Sequence, residues 1–312
     1  MLIRRLSTRT FLAGLFGLML LLSACGSVSG GSGPSSTLTA GQVLQKALTT
    51  MQHLKTVHLD LSLTENLQMQ SQETATPSSQ SSSLPGNLAI SIQGSGDEVF
   101  PDQASAQLKV SVPGLGSNLQ LNEILQDGKV YIQNKQGQWY VLEQSSLSGS
   151  SSFLGAVNSD QYTRLLALAQ KAQLTDHGDQ TLHGQSLRHI SVTFGRDALK
   201  ELLTSFEQLP SGLSQSDIQR IAQATTLRQA GLDLWIDEQN FYVHEMNLKM
   251  NIDLDANKLL QSTATTGNSG MSGVLGIQVN ATVDYSQFNQ PFTIKAPTNA
   301  TPTDNPQTIF QQ

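Results

Sequence analysis

The chain has 312 residues, a formal net charge of −6 and only 13% charged residues, so Ser, Thr, Asn and Gln carry most of its polarity. A weakly charged, acidic chain excludes the basic footprint of a nucleic-acid binder, whose affinity rests on neutralising phosphates with Lys and Arg. Its single cysteine, Cys25, excludes an intramolecular disulfide and the cysteine clusters of a structural zinc site.

At the N-terminus, Arg4, Arg5 and Arg9 precede the apolar run "FLAGLFGLMLLL" and the small residues Ser23 and Ala24. This charged, apolar and small order is that of a secretory signal, and the run is short of the roughly 20 apolar residues a membrane helix needs. Arg4-Arg5 also raises twin-arginine export, which the following "LSTRTFL" fits poorly. The stretch Leu22-Ser23-Ala24-Cys25 resembles the lipobox of bacterial lipoproteins. That resemblance implies that residues 1–24 are a signal peptide, that Cys25 receives a diacylglycerol and becomes the new N-terminus, and that the mature chain is extracytoplasmic and tied to the membrane. The alternatives are an ordinary signal with an incidental thiol and a retained membrane helix. Removal of residues 1–24 takes away three Arg and no acid, leaving 15 Lys and Arg against 24 Asp and Glu, a charge of −9.

Residues 25–38 read as a flexible Ser/Gly-rich tether, 39–297 as the folded domain and 298–312, with Pro302 and Pro306, as a flexible tail. The domain opens with a helix capped by Thr39, in which Ala40, Val43, Leu44, Ala47, Leu48, Met51 and Leu54 recur every three or four residues. The period then falls to two: Val57, Leu59, Leu61 and Leu63 alternate with His58, Asp60, Ser62 and Thr64. Alternation returns at Leu88–Ile92, Leu108–Val112, Ile190–Phe194 and Leu232–Ile236. It continues through Tyr242, Met246, Leu248, Met250, Ile252 and Leu254, and ends at Ile277–Val283. Strands apolar on one face only predict an antiparallel sheet. Asp127-Gly128, Lys135-Gln136-Gly137 and His183-Gly184 are its turn signals. Helices are predicted over Gln161–Leu174, Asp197–Leu209 and Ser216–Leu227, and polar loops over Gln70–Pro85 and Ser145–Ser152.

The stretches "VLQKALTTMQHLKTVHLDLSL", "GKVYIQNKQGQWYVLE", "LDLWIDEQNFYVHEMNLKMNIDL" and "VDYSQFNQPFTIKAP" resemble those of LppX/LprG-type lipoproteins, which share a half-barrel fold with the LolA/LolB carriers. The resemblance implies an α+β fold: a large curved antiparallel sheet with helices packed on its concave face. It also implies a cavity between them for a lipid or acylated hydrophobic ligand. The expected walls are Val43, Leu44, Leu48 and Met51 on the helix and Leu59, Leu61, Leu63, Leu248, Met250 and Ile252 on the sheet. A filled core in a structural or interaction lipoprotein is the alternative, and each of these residues taken alone also suits an ordinary core.

Catalytic patterns are missing from the sequence. The six histidines lack the spacing of H-E-x-x-H, "GNSGMSG" is not a nucleophile elbow, and no phosphate loop stands between strand and helix. Asp253 and Asp255 share a strand face and could attract Ca²⁺, but two carboxylates make a poor site. The sequence therefore predicts a binding protein without enzymatic activity, cofactor, metal or nucleic-acid partner; it names no protein partner.

Overall fold

The structure is a computed structural model that describes residues 37–70, 87–113, 119–144, 165–195, 215–255, 258, 273–305 and 309. Cys25 with its signal, the polar stretches 71–85 and 145–152, and the helix expected over Asp197–Leu209 lie outside them.

Helix α1, Ala40–Gln52, begins where the sequence predicts. Its capping box is reciprocal: the Gln42 backbone N–H donates to Thr39 Oγ1 at 3.3 Å, and the Thr39 N–H donates to Gln42 Oε1 at 2.9 Å. The helix stops at His53, whose Nδ1 lies 2.7 Å from the Thr49 carbonyl. Val43, Leu44, Ala47 and Leu48 are its buried stripe.

Twelve strands follow: β1 Thr56–Gln70, β2 Asn87–Val99, β3 Gln103–Ser111, β4 Leu119–Gln126, β5 Lys129–Gln133, β6 Trp139–Glu143, β7 Gln173–Leu182, β8 Gln185–Thr193, β9 Thr225–Ile236, β10 Val243–Asp255, β11 Val274–Ser286 and β12 Thr301–Pro302. They form one open sheet in the order β12-β6-β5-β4-β3-β2-β1-β11-β10-β9-β8-β7, an α+β half-barrel. Every pairing is antiparallel except that of β12 with β6. Helix α2, Gln215–Ala224, leads directly into β9.

Two hairpins have two-residue turns with both central residues at positive φ, Asp127-Gly128 (54° and 71°) and His183-Gly184 (49° and 78°). That twist matches the strands the turns connect. Gly94 and Gly96 answer a different need. A Cβ on Gly94 would stand 2.6 Å from Leu108 Cδ2 and closer still to the Gln107 carbonyl, and one on Gly96 would meet the Ser105 carbonyl. Strand β3 can approach β2 this closely only over hydrogen.

Register carries one largely apolar face across β11, β1, β2, β3 and β4. Leu61 faces Val283 on one side and Gly94 on the other, and Gly94 faces Leu108, which faces Leu121. On this inner face the main buried cluster joins α1 to β1, β8, β9, β10 and β11, and Leu166, Leu168 and Ala169 of the helical segment 165–169 add to it. A second cluster, Ala104, Ala106, Leu108, Leu121, Val130, Ile132, Tyr140, Leu142 and Ile309, covers β3 to β6. Half-buried Ile92 touches both.

Three sequence expectations are corrected. Gln173 and Leu174 belong to β7, paired with Thr193 and Val192, and residues 225–227 open β9; pairing along a neighbouring strand outweighs their helical spacing. Tyr242 precedes β10, whose irregularity between Val243 and Glu245 sets the buried residues Val243 and Met246 three apart. In the segment read as a tail, Thr301 and Pro302 pair with β6, the Thr303 N–H donates to the Val141 carbonyl at 3.0 Å, and Ile309 is buried.

Candidate ligand-binding face

Strand alternation and register place the ten expected wall residues on or against the inner face, and burial divides them. Val43, Leu44, Leu48, Leu59 and Leu61 belong to the buried cluster. Met51, Leu63, Leu248, Met250 and Ile252 are half-buried. The division follows position along the strands. Near α1 the inner residues are closed off: Val57, Leu59 and Leu61 on β1, Val283 and Tyr285 on β11, Val243 and Met246 on β10, Leu232 to Ile236 on β9. Further along, cover thins on adjacent strands together. Leu63 faces Ala281, which faces Leu248; Val279 faces Met250; Leu67 faces Ile277, which faces Ile252, which faces Leu227. All nine of these are half-buried. Across β1 the patch continues to Ile92, Ile90 and Leu88, opposite Leu63, Glu65 and Leu67. Glu65 is the single acid in these rows.

One buried cation sits on the same face. Arg188, 7% exposed, donates from Nε and Nη2 to both carboxylate oxygens of Asp176 at 2.8 and 2.5 Å, from Nη1 to Glu238 at 3.1 Å, and from Nη2 to the Leu38 carbonyl at 3.3 Å. Its hydrogen bonds hold the Asp176 carboxyl below the ordinary range despite partial burial. The arrangement ties β7, β8 and the β9–β10 turn to the segment entering α1.

The opposite face is polar. His177, His189 and Trp235 form a stack with successive centroids 4.4 Å apart. Ser191 donates to Asp233 Oδ1 at 2.5 Å, and His189 Nε2 lies 3.3 Å from the same oxygen. Burial pushes Asp233 up, but these hydrogen bonds and the nearby charges of His189 and Lys249 outweigh it and hold the carboxyl low. Beyond β1 the same face holds a cleft of about 400 Å³ bordered by His58, Asp97, Gln107, Asn122, Gln133 and Trp139. Asn122 donates to Gln133 at 2.7 Å, and its own carbonyl oxygen is buried without a partner. Nothing in the sequence singles out this face. Alternation marks its residues as solvated, and only the fold brings residues from distant strands together.

An open sheet with a largely apolar inner face and cover that thins along the strands is an α+β half-barrel. The chain belongs to DUF6612, a family of unknown function, which matches residues 39–305. No curated protein matches it. Among solved structures it is similar to LprF from Mycobacterium bovis (12% identity over 85% of this chain and 99% of that one, TM-score 0.44). It is also similar to the lipoprotein LppX from Mycobacterium tuberculosis (13% identity, 82% and 100% covered, TM-score 0.39). A third is a DUF1329 family protein from Desulfovibrio piger (7% identity, 81% and 93% covered, TM-score 0.24). The LppX/LprG type to which the sequence pointed is thus met among the similar structures. No helix among the described residues is long and apolar enough to cross a membrane.

Proposed function

We propose that this protein is an extracytoplasmic lipoprotein, anchored through Cys25, whose inner face holds a lipid or other hydrophobic molecule without transforming it. The observation that supports the reading is the change in cover along the inner face. The half beside α1 is close-packed, whereas Leu63, Leu67, Leu248, Met250, Ile252 and Ile277 form adjoining half-buried rows. The seat therefore lies beyond α1 and not under it, which moves it from the helix-lined site that Val43, Leu44 and Leu48 would build. Each methylene buried there contributes roughly 0.8 kcal/mol, so an acyl chain needs no specific polar partner. Met250 adapts to varied chains through its flexible thioether.

The test is solvent extraction and mass spectrometry of the chain purified from its membrane, combined with uptake of a fluorescent fatty acid. Stoichiometric lipid in the native chain, and uptake lost in Ile252→Asp, are the expected results. Delipidated protein that takes up no probe overturns the reading. A second reading, a filled-core lipoprotein that only presents its polar surface to envelope partners, draws support from the burial of Val43, Leu44, Leu48, Leu59 and Leu61, and that outcome would favour it.

A further inference from the structure

The β7–β8 hairpin ends at His183, which by strand order should sit far from β11, since β9 and β10 intervene. Its imidazole nevertheless reaches both strands on the polar face. His183 Nε2 lies 3.2 Å from Asp284 Oδ1 on β11 and 3.5 Å from Glu245 Oε2 on β10. Glu245 and Asp284 are directly opposed in the β10–β11 register. The hairpin tip is therefore folded over that face, and the histidine caps a pair of carboxylates.

We propose that His183, Glu245 and Asp284 form a binding site for a divalent transition-metal cation of the Zn²⁺ class, which staples the β7–β8 hairpin to β10 and β11. One ligand atom from each of the three lies within 4.8 Å of the other two. Zinc bonds to imidazole and carboxylate are about 2.0–2.2 Å long, and in tetrahedral geometry they place neighbouring ligand atoms about 3.3–3.6 Å apart. The 3.5 Å distance from His183 to Glu245 lies within that range, and the 3.2 Å distance to Asp284 falls just short of it. The donor set also selects the ion: one imidazole with two carboxylates suits zinc and its first-row neighbours, whereas Ca²⁺ and Mg²⁺ prefer oxygen throughout.

Electrostatics agrees with the geometry. Two facing carboxylates repel each other, and among the described residues His183 is the only basic side chain that meets both. A dication compensates the pair more completely than one imidazolium. Three protein ligands leave a position for solvent, and His183 is an exposed residue through which the ion can enter.

The site does not depend on lipid binding at the inner face, and its test is separate. Zn²⁺ is titrated calorimetrically into the metal-free chain, carried without a polyhistidine tag, at pH 7.5, with Ca²⁺ and Mg²⁺ as controls. The expected result is one Zn²⁺ per chain, with affinity lowered at least about 100-fold in His183→Ala, since loss of even an outer partner of a metal ligand costs 10–100-fold. Amide exchange over residues 177–187 should slow on Zn²⁺ addition in the native chain and not in the variant. Asp284→Asn should weaken binding similarly. If that variant fails to fold by circular dichroism, His183→Gln at the exposed tip decides. Absence of saturable Zn²⁺ binding, equal binding of Ca²⁺, or Zn²⁺ binding unchanged in both histidine variants overturns the proposal.

Discussion

His189 and Trp235, directly opposite each other on β8 and β9, stack face to face with centroids 4.4 Å apart and planes 3° from parallel. The other side of the imidazole meets His177, and its Nδ1 is buried without a hydrogen-bond partner. Burial, and to a lesser degree the charges of His177 and Lys249, lower its pKa from the ordinary 6.5, outweighing Asp233, which raises it. A base with a lowered folded-state pKa binds its proton more readily when unfolded. Stability should therefore fall as pH drops from about 6.5 towards the folded value. Urea denaturation at closely spaced pH values should show this slope in the native chain and lose it in His189→Phe.

Removal of Arg188 should be costly. Arg188→Ala leaves Asp176 and Glu238 without their buried partner, and a loss of about 3 kcal/mol or more is expected from denaturation midpoints. Arg188→Lys should not restore it, because a single ammonium cannot reproduce the two-pronged pairing with Asp176. The pH dependence has a definite sign. The Asp176 carboxyl is held below 3.8, so its contribution is complete above that pH and is lost as pH falls through the lower folded value. The acid limb should be shallower in the Ala variant.

Gly94→Ala should destabilise by about 1–3 kcal/mol, the usual range for overpacking, because its methyl meets the Gln107 backbone as well as Leu108. Gly128→Asn, at a positive-φ turn position where a Cβ meets nothing within 4 Å, should be much milder. Differential scanning calorimetry of the two variants separates close approach from backbone conformation.

The proposed lipid seat predicts a dissociation between stability and uptake. Leu44→Ala, in the close-packed half, should cost about 2–5 kcal/mol and leave probe uptake per folded molecule unchanged. Ile252→Asp, in the half-buried rows, should abolish uptake at a smaller cost in stability. Fluorescent fatty-acid titration alongside thermal melts checks both.

Much of the fold was legible because alternation is a strong signal wherever one face is covered. Val57 to Leu63 on β1 and Ile277 to Val283 on β11 read as strands from their spacing and pair directly in the sheet. Strand β7 gave no such signal, since Gln173–Leu182 is a largely exposed edge whose polar residues do not alternate with apolar ones. Strand β12 is two residues long and contains proline, so only its partner β6 defines it. Periodicity reports which face a side chain takes and not how well that face is covered. Leu44 and Ile252 therefore looked alike in sequence. The grouping of His183, Glu245 and Asp284 lies deeper still, because it depends on a hairpin folding back across the sheet.

An unclosed sheet has two outer margins, each able in principle to recruit a strand from another molecule. Here both are poor templates. At one, β12 offers two residues, and Pro302 has no N–H to donate. At the other, the register of β7 breaks between Asp176 and Asp179, around a glycine at positive φ. Bulges and prolines at such margins oppose edge-to-edge stacking. The half-barrel can thus remain an open sheet without inviting neighbouring copies to polymerise.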